Sequence, residues 1–397
     1  MKKVCVSGLG ILTGQGSNLK EFWEGLVDPS PAFAPPSAFP QVTVPVAEIR
    51  TTDWITESAV SNPALVDRSA LLAVAAARGA LEDAALDAGS FEPDRVAVIV
   101  GSGAPGLATL DEQYELLYRQ RQTKLTPLTV PKMMASAAPS WISMTFGFRG
   151  PAFAVASACA SATHAIGIAA QLIESGVVDV AVCGGTEACL VEGALRGWMS
   201  LGVLTSDTCR PFAAGRSGLV LAEGSGMLVL ESAEHARARG FVPRARVSGF
   251  GWSADAGHLT RPAATGMAAA VTTALRSAGI SPAEVDYINA HGTGTAANDP
   301  AETAALKTVF GDSVPVFSST KGTTGHALGA SGGIEAVAAL LTLEHGVVPP
   351  TANFDGPDTE CDLDCVPNIA RGHKSRVVMS NSFAFGGLNA SVVFART

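Results

Sequence analysis

The chain repeats itself, and that repetition limits its fold more than any other feature. Val6-Ser7-Gly8-Leu9-Gly10 recurs as Val247-Ser248-Gly249-Phe250-Gly251. An Ala-rich helical stretch, Ser69–Gly89, leads through Pro93 into the strand-like Val96-Ala97-Val98-Ile99-Val100. Likewise Met267–Gly279 leads through Pro282 into Val285-Asp286-Tyr287-Ile288-Asn289. A third match sets Ala160-Ser161 through Glu174-x-Gly176-Val177-Val178 against Ala330-Ser331 through Glu344-x-Gly346-Val347-Val348. The matches keep their order, and the distance between copies shrinks along the chain, as insertions in the first copy would cause. They predict one strand–helix–strand–helix unit used twice, in halves spanning residues 1–244 and 245–397. Val177–Cys183 and Arg376–Met379 read as continuous rather than alternating strands, expected where helices cover both faces of a sheet. The fold class is therefore α/β.

Composition narrows the function. Hydrophobic residues make up 47% of the 397 and charged ones 16%, ample for one large core or two domains. A net charge of −9 with no basic run argues against nucleic acid as a partner. No uninterrupted apolar stretch reaches the roughly 18 residues that span a bilayer. The chain enters the strand-like Val4-Cys5-Val6 at once, with no signal-peptide pattern before it. Seven cysteines, an odd number without a CxxC pair, do not suggest a disulfide framework or a thiolate zinc site. The expectation is a soluble cytoplasmic protein with no membrane span, metal or cofactor.

The strand Phe153-Ala154-Val155-Ala156 and the helical Ala160–Ser175 are separated by Ser157-Ala158-Cys159. A cysteine there meets the unpaired N–H groups and positive dipole end of the helix, a setting that favours thiolate. Ala158, Ala160, Ser161 and Ala162 are small enough to let a carbonyl carbon approach the sulfur. The repeat sets Cys159 opposite Gly329, so one of two equivalent turns carries a nucleophile. Cys5, Cys183 and Cys189 lie inside apolar runs and fit a packing role.

His291 stands in Asn289-Ala290-His291-Gly292-Thr293-Gly294-Thr295, and His326 ends Lys321-Gly322-Thr323-Thr324-Gly325-His326. Two histidines among Gly and Thr near strand ends, one following a lysine, weigh toward acid–base or hydrogen-bonding chemistry. Zinc is the competing reading, but the close ligand spacing of a zinc site is missing. The other histidines are read as structural, His258 least securely. In Ser380–Asn389, glycines after Phe385 would let its backbone N–H face a pocket while its ring serves as a lid. Gly101-Ser102-Gly103-Ala104-Pro105-Gly106 matches a dinucleotide fingerprint in spelling only: no strand follows where the ribose-binding acid should be.

Together, Ala158-Cys159-Ala160-Ser161, His291-Gly292-Thr293-Gly294-Thr295, Lys321…Gly325-His326 and Asn381–Asn389 resemble the elongating β-ketoacyl-acyl-carrier-protein synthases (KAS II-like condensing enzymes of the thiolase superfamily). Arg210-Pro211-Phe212 and Gly218–Gly224 are similar to the family's central stretch, so the likeness spans nearly the whole chain. The resemblance implies a five-layered αβαβα fold from two duplicated halves, and a homodimer or a heterodimer with a related subunit. It also implies an acyl carrier protein (ACP) as partner, presenting acyl-ACP and malonyl-ACP.

By the same resemblance Cys159 would hold the acyl chain as a thioester, and His291 and His326 would assist decarboxylation of malonyl-ACP. The N–H groups of Cys159 and Phe385 would form the oxyanion hole. Lys321, paired with Glu302, would fix His326, while Phe385 gates the pocket. Thr293 and Thr295 would line it, and Leu110, Met133 and Met134 would line it or touch a dimer partner. Two departures stand out. Ala384 and Leu388 replace the usual Gly and Thr of the gating loop, and Ala384 would stiffen the lid or narrow the entrance. Asn62–Arg68 has one basic residue where the family often clusters several, which would steer an acidic carrier weakly. The alternatives are a thiolase using acetyl-CoA, disfavoured because Ser382–Leu388 has no second cysteine, and a non-catalytic chain-length subunit, disfavoured because Cys159 is retained.

Overall fold

The computed structural model describes residues 2–31, 33–87 and 89–397. Ten strands form one sheet: β1 (Val4–Thr13), β2 (Val96–Gly101), β3 (Ala152–Val155), β4 (Val180–Glu187), β5 (Gly224–Ser232), β6 (Ala245–Ala254), β7 (Tyr287–Asn289), β8 (Val316–Ser318), β9 (Val377–Ala384) and β10 (Leu388–Ala395). Their order is β8-β7-β9-β10-β6-β1-β5-β4-β2-β3. Read outward from the centre, the two sides are β1-β5-β4-β2-β3 and β6-β10-β9-β7-β8, the same path shifted by five strands. Strand directions repeat too. β2 runs parallel to β3 and β4, as β7 does to β8 and β9, and the remaining neighbours are antiparallel. β1 and β6 join through only three residue pairs, Val4↔Val247 to Val6↔Ala245.

The main helices are α1 (Arg68–Asp83), α2 (Ser161–Glu174), α3 (Glu192–Leu201), α4 (Ala264–Ala278), α5 (Asn298–Phe310) and α6 (Ser331–His345). α1 covers the outer face of β1 and β5, and α4 covers β6 and β10, with α5 against α4. Between the two sides of the sheet lie α2 and α6. α2 packs on β4 and reaches β10, and α6 packs on β5 and β9. Five layers result, in the order αβαβα. As the middle layer, α6 is buried from Ser331 to Leu343, apolar all round apart from a few small or polar residues.

The repeated V-S-G-x-G motif has a packing cause. A Cβ on Gly8 or Gly10 would lie 2.0 Å from the Ala80 carbonyl oxygen or 1.8 Å from that of Ala76, both on α1. At Gly251 it would lie 2.3 Å from the Ala270 carbonyl oxygen on α4, and at Gly249 2.4 Å from Ala278 N. Each strand thus needs bare backbone where its helix sits directly on it. The Ala-rich helix closes earlier than its composition suggests, at Asp83. Ala85 turns to φ +47° and the Leu86 N–H bonds the Leu81 carbonyl, a left-handed stop without glycine. Ala88, inside the expected stretch, lies outside the described residues.

Candidate active site

Cys159 sits on a strained elbow between β3 and α2. Ala158 before it adopts φ +49°, in the left-handed region, and the turn is locked locally. The Ser157 N–H donates to Ser161 Oγ (2.8 Å), and that hydroxyl donates to the Ala158 carbonyl (2.7 Å). The sulfur is buried among Ala160, Ala384 and Ala390, with Ala158 and Leu388 alongside. Ala384 therefore ends β9 against the cysteine as well as lining the cavity above it.

His291 and His326 both reach this sulfur. His326 Nε2 lies 3.1 Å from Cys159 Sγ, and its Nδ1 is 2.8 Å from Ser331 Oγ. The His291 and His326 rings meet edge-on, with centroids 5.3 Å apart. His326 is held from behind by the central stretch: its N–H donates to Val220 O (2.7 Å), and its carbonyl accepts from the Ala222 N–H (3.0 Å). The His291 turn is held by α5. Glu302 accepts the N–H groups of His291 (2.8 Å) and Gly292 (2.7 Å), and Asp299 accepts those of Thr293 (3.0 Å) and Gly294 (3.1 Å).

Lys321 corrects the expectation drawn for it. Its ammonium pairs with Glu335 of α6, not with Glu302, which is occupied by the backbone of the His291 turn. It also lies against His291 rather than His326, 3.3 Å from His291 Nδ1 and donating to the His291 carbonyl. Because an ammonium only donates, His291 Nδ1 must accept, which places the ring proton on Nε2.

The electrostatics follow from burial. His291 is held well below its usual pKa first by desolvation and then by the Lys321 charge, with His326 adding to it; His326 is lowered by desolvation and Lys321. Both rings are neutral at pH 7. The Cys159 thiol is pushed up to about 11, principally by burial, while Lys321 and the N–H groups of Phe385 and Cys159 pull it down. This overturns the thiolate expected from the helix end: here desolvation outweighs the dipole, so the resting pair is a thiol beside a neutral imidazole. Sγ and the two ring nitrogens lie within 4.8 Å of one another. A soft cation there would have to displace a proton from a high-pKa thiol next to a buried ammonium, an unfavourable electrostatic setting.

A cavity of about 350 Å³ opens over these groups, lined by Thr293, Thr295, Ala384, Phe385 and the loop His258–Pro262 among others. The half-buried Phe385 stacks on Trp198 of α3 (centroids 5.9 Å, 19° between planes). Leu110, Met133 and Met134, expected as pocket residues, do not line the cavity, and Met134 is 49% exposed. They sit on helices Leu107–Tyr114 and Thr129–Met133, or just beyond them, away from the sulfur's own cavity. The Ser380–Asn389 segment is mostly strand rather than loop. Only Phe385, Gly386 and Gly387 turn between β9 and β10. Arg68, the lone basic residue of its segment, is spent on Glu223 through Nε and Nη2 (both 2.7 Å).

Glu335, Ser331, Asp299 and Trp198 were missed from the sequence. Two signals were present. Glu335 is a lone acid in the apolar run Ile334–Leu341, and Ser331 is the repeat's counterpart of Ser161.

Comparison with known proteins agrees with this geometry. Residues 1–236 match the family model "Beta-ketoacyl synthase, N-terminal domain", and 244–355 match its C-terminal domain. Nodulation protein E of Rhizobium sp. (strain N33) is 44% identical over 400 residues, 99% of each chain. The 3-oxoacyl-[acyl-carrier-protein] synthase 2 of Coxiella burnetii is 36% identical over 408 residues, covering 100% of this chain and 99% of its own. A solved structure described as the ishigamide ketosynthase/chain length factor superposes with a TM-score of 0.96 at 33% identity, covering 100% of this chain and 99% of that one. The chain belongs to the β-ketoacyl synthase family. It is a condensing acyltransferase with a thiolase-like fold.

Proposed function

We propose that this protein elongates acyl chains by condensing malonyl-ACP with an acyl group carried on Cys159, and that the residues around that sulfur divide the work as follows. The single observation that carries the reading is the 3.1 Å approach of His326 Nε2 to Cys159 Sγ. In acyl loading, His326 accepts the thiol proton as sulfur attacks the acyl-ACP thioester, and the proton leaves on the carrier's thiolate. This suits a thiol held near 11 better than a standing thiolate would. Malonyl-ACP then loses CO₂, and the electron pair of the broken C–C bond moves into an enolate. Its oxygen accepts hydrogen bonds from Nε2–H of His291 and Nε2–H of His326. Ser331 makes the second donor available: a hydroxyl that rotates to donate to Nδ1 lets His326 switch from acceptor to donor. The enolate carbon attacks the Cys159 thioester, and the N–H groups of Cys159 and Phe385, which already face the sulfur, hold the tetrahedral oxyanion. Collapse expels the Cys159 thiolate, which takes the proton from Nε2 of His326, and water entering through the cavity returns one to the ring.

Lys321 acts as a positioning charge on His291, and Glu302 as the brace of its backbone. Phe385, stacked on Trp198, gates the cavity. The names of the relatives support the carrier-protein substrate and pairing with a related chain-length subunit; a pair of identical chains is the alternative arrangement. The family models, meeting between residues 236 and 244, support the division at 244/245. All seven cysteines are free, and no helix among the described residues is long and apolar enough to cross a membrane, which suits the cytoplasm.

Intact-protein mass spectrometry tests the reading. Incubation with acyl-ACP should add one acyl mass at Cys159, and malonyl-ACP should then release it as ketoacyl-ACP. Acyl loading that persists in Cys159→Ala would refute the assignment.

A further inference from the structure

The cavity over Cys159 carries one fixed charge. Arg261 is the sole lysine or arginine among its lining residues, and no aspartate or glutamate joins it. The cavity runs from the buried sulfur and imidazoles out to an exposed rim at His258, Leu259 and Arg261, with Leu259 73% exposed. Among the described residues, Arg210, Arg216 and Arg371 are tied to carboxylates, whereas none comes within 4.0 Å of Arg261. A cation at a cavity mouth without an anion of its own is free to take one from a ligand.

The rim is also held in shape. His258 Nδ1 accepts the backbone N–H groups of Thr260 (3.1 Å) and Arg261 (3.3 Å), and Asp255 accepts that of Ala263 (2.9 Å). The Leu259 carbonyl accepts the Gly386 N–H (2.7 Å), fastening the rim to the turn that carries Phe385. Below it, Thr260, Thr293 and Thr295 border a path otherwise lined largely by apolar groups.

We propose that Arg261 is a positioning residue that grips the phosphodiester of the carrier protein's phosphopantetheine arm, an inference that rests on the carrier-protein reading above. The arm is a chain of neutral amides with one charge, at the end away from the thioester. A guanidinium at the rim matches that charge when the thioester lies at the sulfur, and its planar fork suits phosphate oxygens. The malonyl carboxylate is the other anion in the reaction. It must lie at the buried end, beside the enolate-stabilising imidazoles, and a guanidinium paired with it would stabilise the ground state against loss of CO₂. With Arg68 occupied by Glu223, this local contact compensates for weak long-range steering of the carrier.

The test compares two small substrates on the full-length enzyme with Cys159 already acylated: malonyl-phosphopantetheine, and malonyl-pantetheine, which lacks the phosphate. The wild type should favour the first in kcat/KM, and Arg261→Ala should shrink that preference roughly tenfold or more, mostly through KM. Arg261→Lys should restore part of it, and Arg261→Glu should invert it. With malonyl-ACP, the KM of Arg261→Ala should rise in parallel. An unchanged preference ratio would overturn the proposal, and so would equal losses on both substrates, which would assign Arg261 to the carboxylate or to propping the rim. A wild type that makes no ketoacyl product from malonyl-ACP would instead overturn the carrier-protein reading itself.

Discussion

The two elbows of the molecule started from one design and now do opposite things. Ala158-Cys159-Ala160-Ser161 opens α2, and Leu328-Gly329-Ala330-Ser331 opens α6. Both begin with a non-glycine residue in the left-handed region, Ala158 at φ +49° and Leu328 at +43°. The first keeps a thiol, and Ser161 spends its hydroxyl locking its own turn. The second has glycine where the thiol would be. His326 stands three residues before Gly329, where the first copy has Ala156, and Ser331 turns its hydroxyl to that imidazole. The thiol and the imidazole thus come from equivalent turns of different copies and meet at 3.1 Å across the middle layer. The second turn could not have kept the cysteine. A Cβ on Gly329 would lie 2.2 Å from Gly103 N and 2.7 Å from Ser102 Cα. The backbone filling that space is held by Glu187, which accepts N–H groups from Gly103, Ala104 and Gly329.

The strongest way to break this comparison is to move the thiol. Cys159→Ala should lower ketoacyl formation by on the order of a thousandfold or more, read by product chromatography with malonyl-ACP. Adding Gly329→Cys to that variant should restore nothing, because the new side chain has no room to enter. Recovered turnover in the double variant would show that the two turns are interchangeable after all.

Next in size is Lys321→Met. It leaves Glu335 buried without its partner and should cost about 3–5 kcal/mol in denaturant unfolding. It also removes a charge that depresses both imidazoles. Their pKa values should rise, so activity, which needs neutral rings, should fail at higher pH than in the parent as the solution is acidified. An acid limb that stays in place would separate Lys321 from His291.

The thiol itself gives a smaller and sharper readout. With burial holding Cys159 near 11, its alkylation by iodoacetamide should climb about tenfold per pH unit between pH 7 and 9, without a plateau. A midpoint below pH 8 would restore the helix end as the dominant influence. At the other elbow, Gly329→Ala should destabilise by about 1–3 kcal/mol in thermal or denaturant unfolding, through overpacking against Ser102 and Gly103.

What the sequence carried and what it hid divide along a physical line. Local and repeated features were legible. The V-S-G-x-G copies mark strands pressed on helices, and the strand-to-helix turn at Cys159 and the Gly-Thr setting of His291 are written in neighbouring residues. Facts that depend on which distant groups share a space were not. Glu302 and Glu335 are both acids within reach of Lys321 along the chain, and only the fold decides that the first caps a backbone turn while the second meets the ammonium. The thiol failed for the same reason. A helix end is visible in sequence, but the burial that outweighs it is supplied by Ala384, Leu388 and Ala390 from the far end of the chain. Arg261 was passed over because nothing around it in sequence says that a cavity ends there.

The smallest expected effect bears on why the elbow is strained at all. A non-glycine residue held at positive φ costs about 1–3 kcal/mol, and Ala158→Gly would relieve it. Glycine also gives the unfolded chain more freedom, at about 0.4–1 kcal/mol, and removes a methyl that packs beside Cys159, Ala384 and Leu388. These terms oppose one another, so unfolding of Ala158→Gly should stay within about 1 kcal/mol of the parent. The hydrogen bonds through Ser161 already fix the turn, so the sulfur should keep its place and acyl loading should continue. If the variant holds its stability but loads acyl groups far more slowly, the Ala158 strain is aiming the thiol. If stability falls by well over 1 kcal/mol, that methyl is part of the packing that sets the thiol's high pKa, and Cys159 should alkylate faster at neutral pH once it is gone.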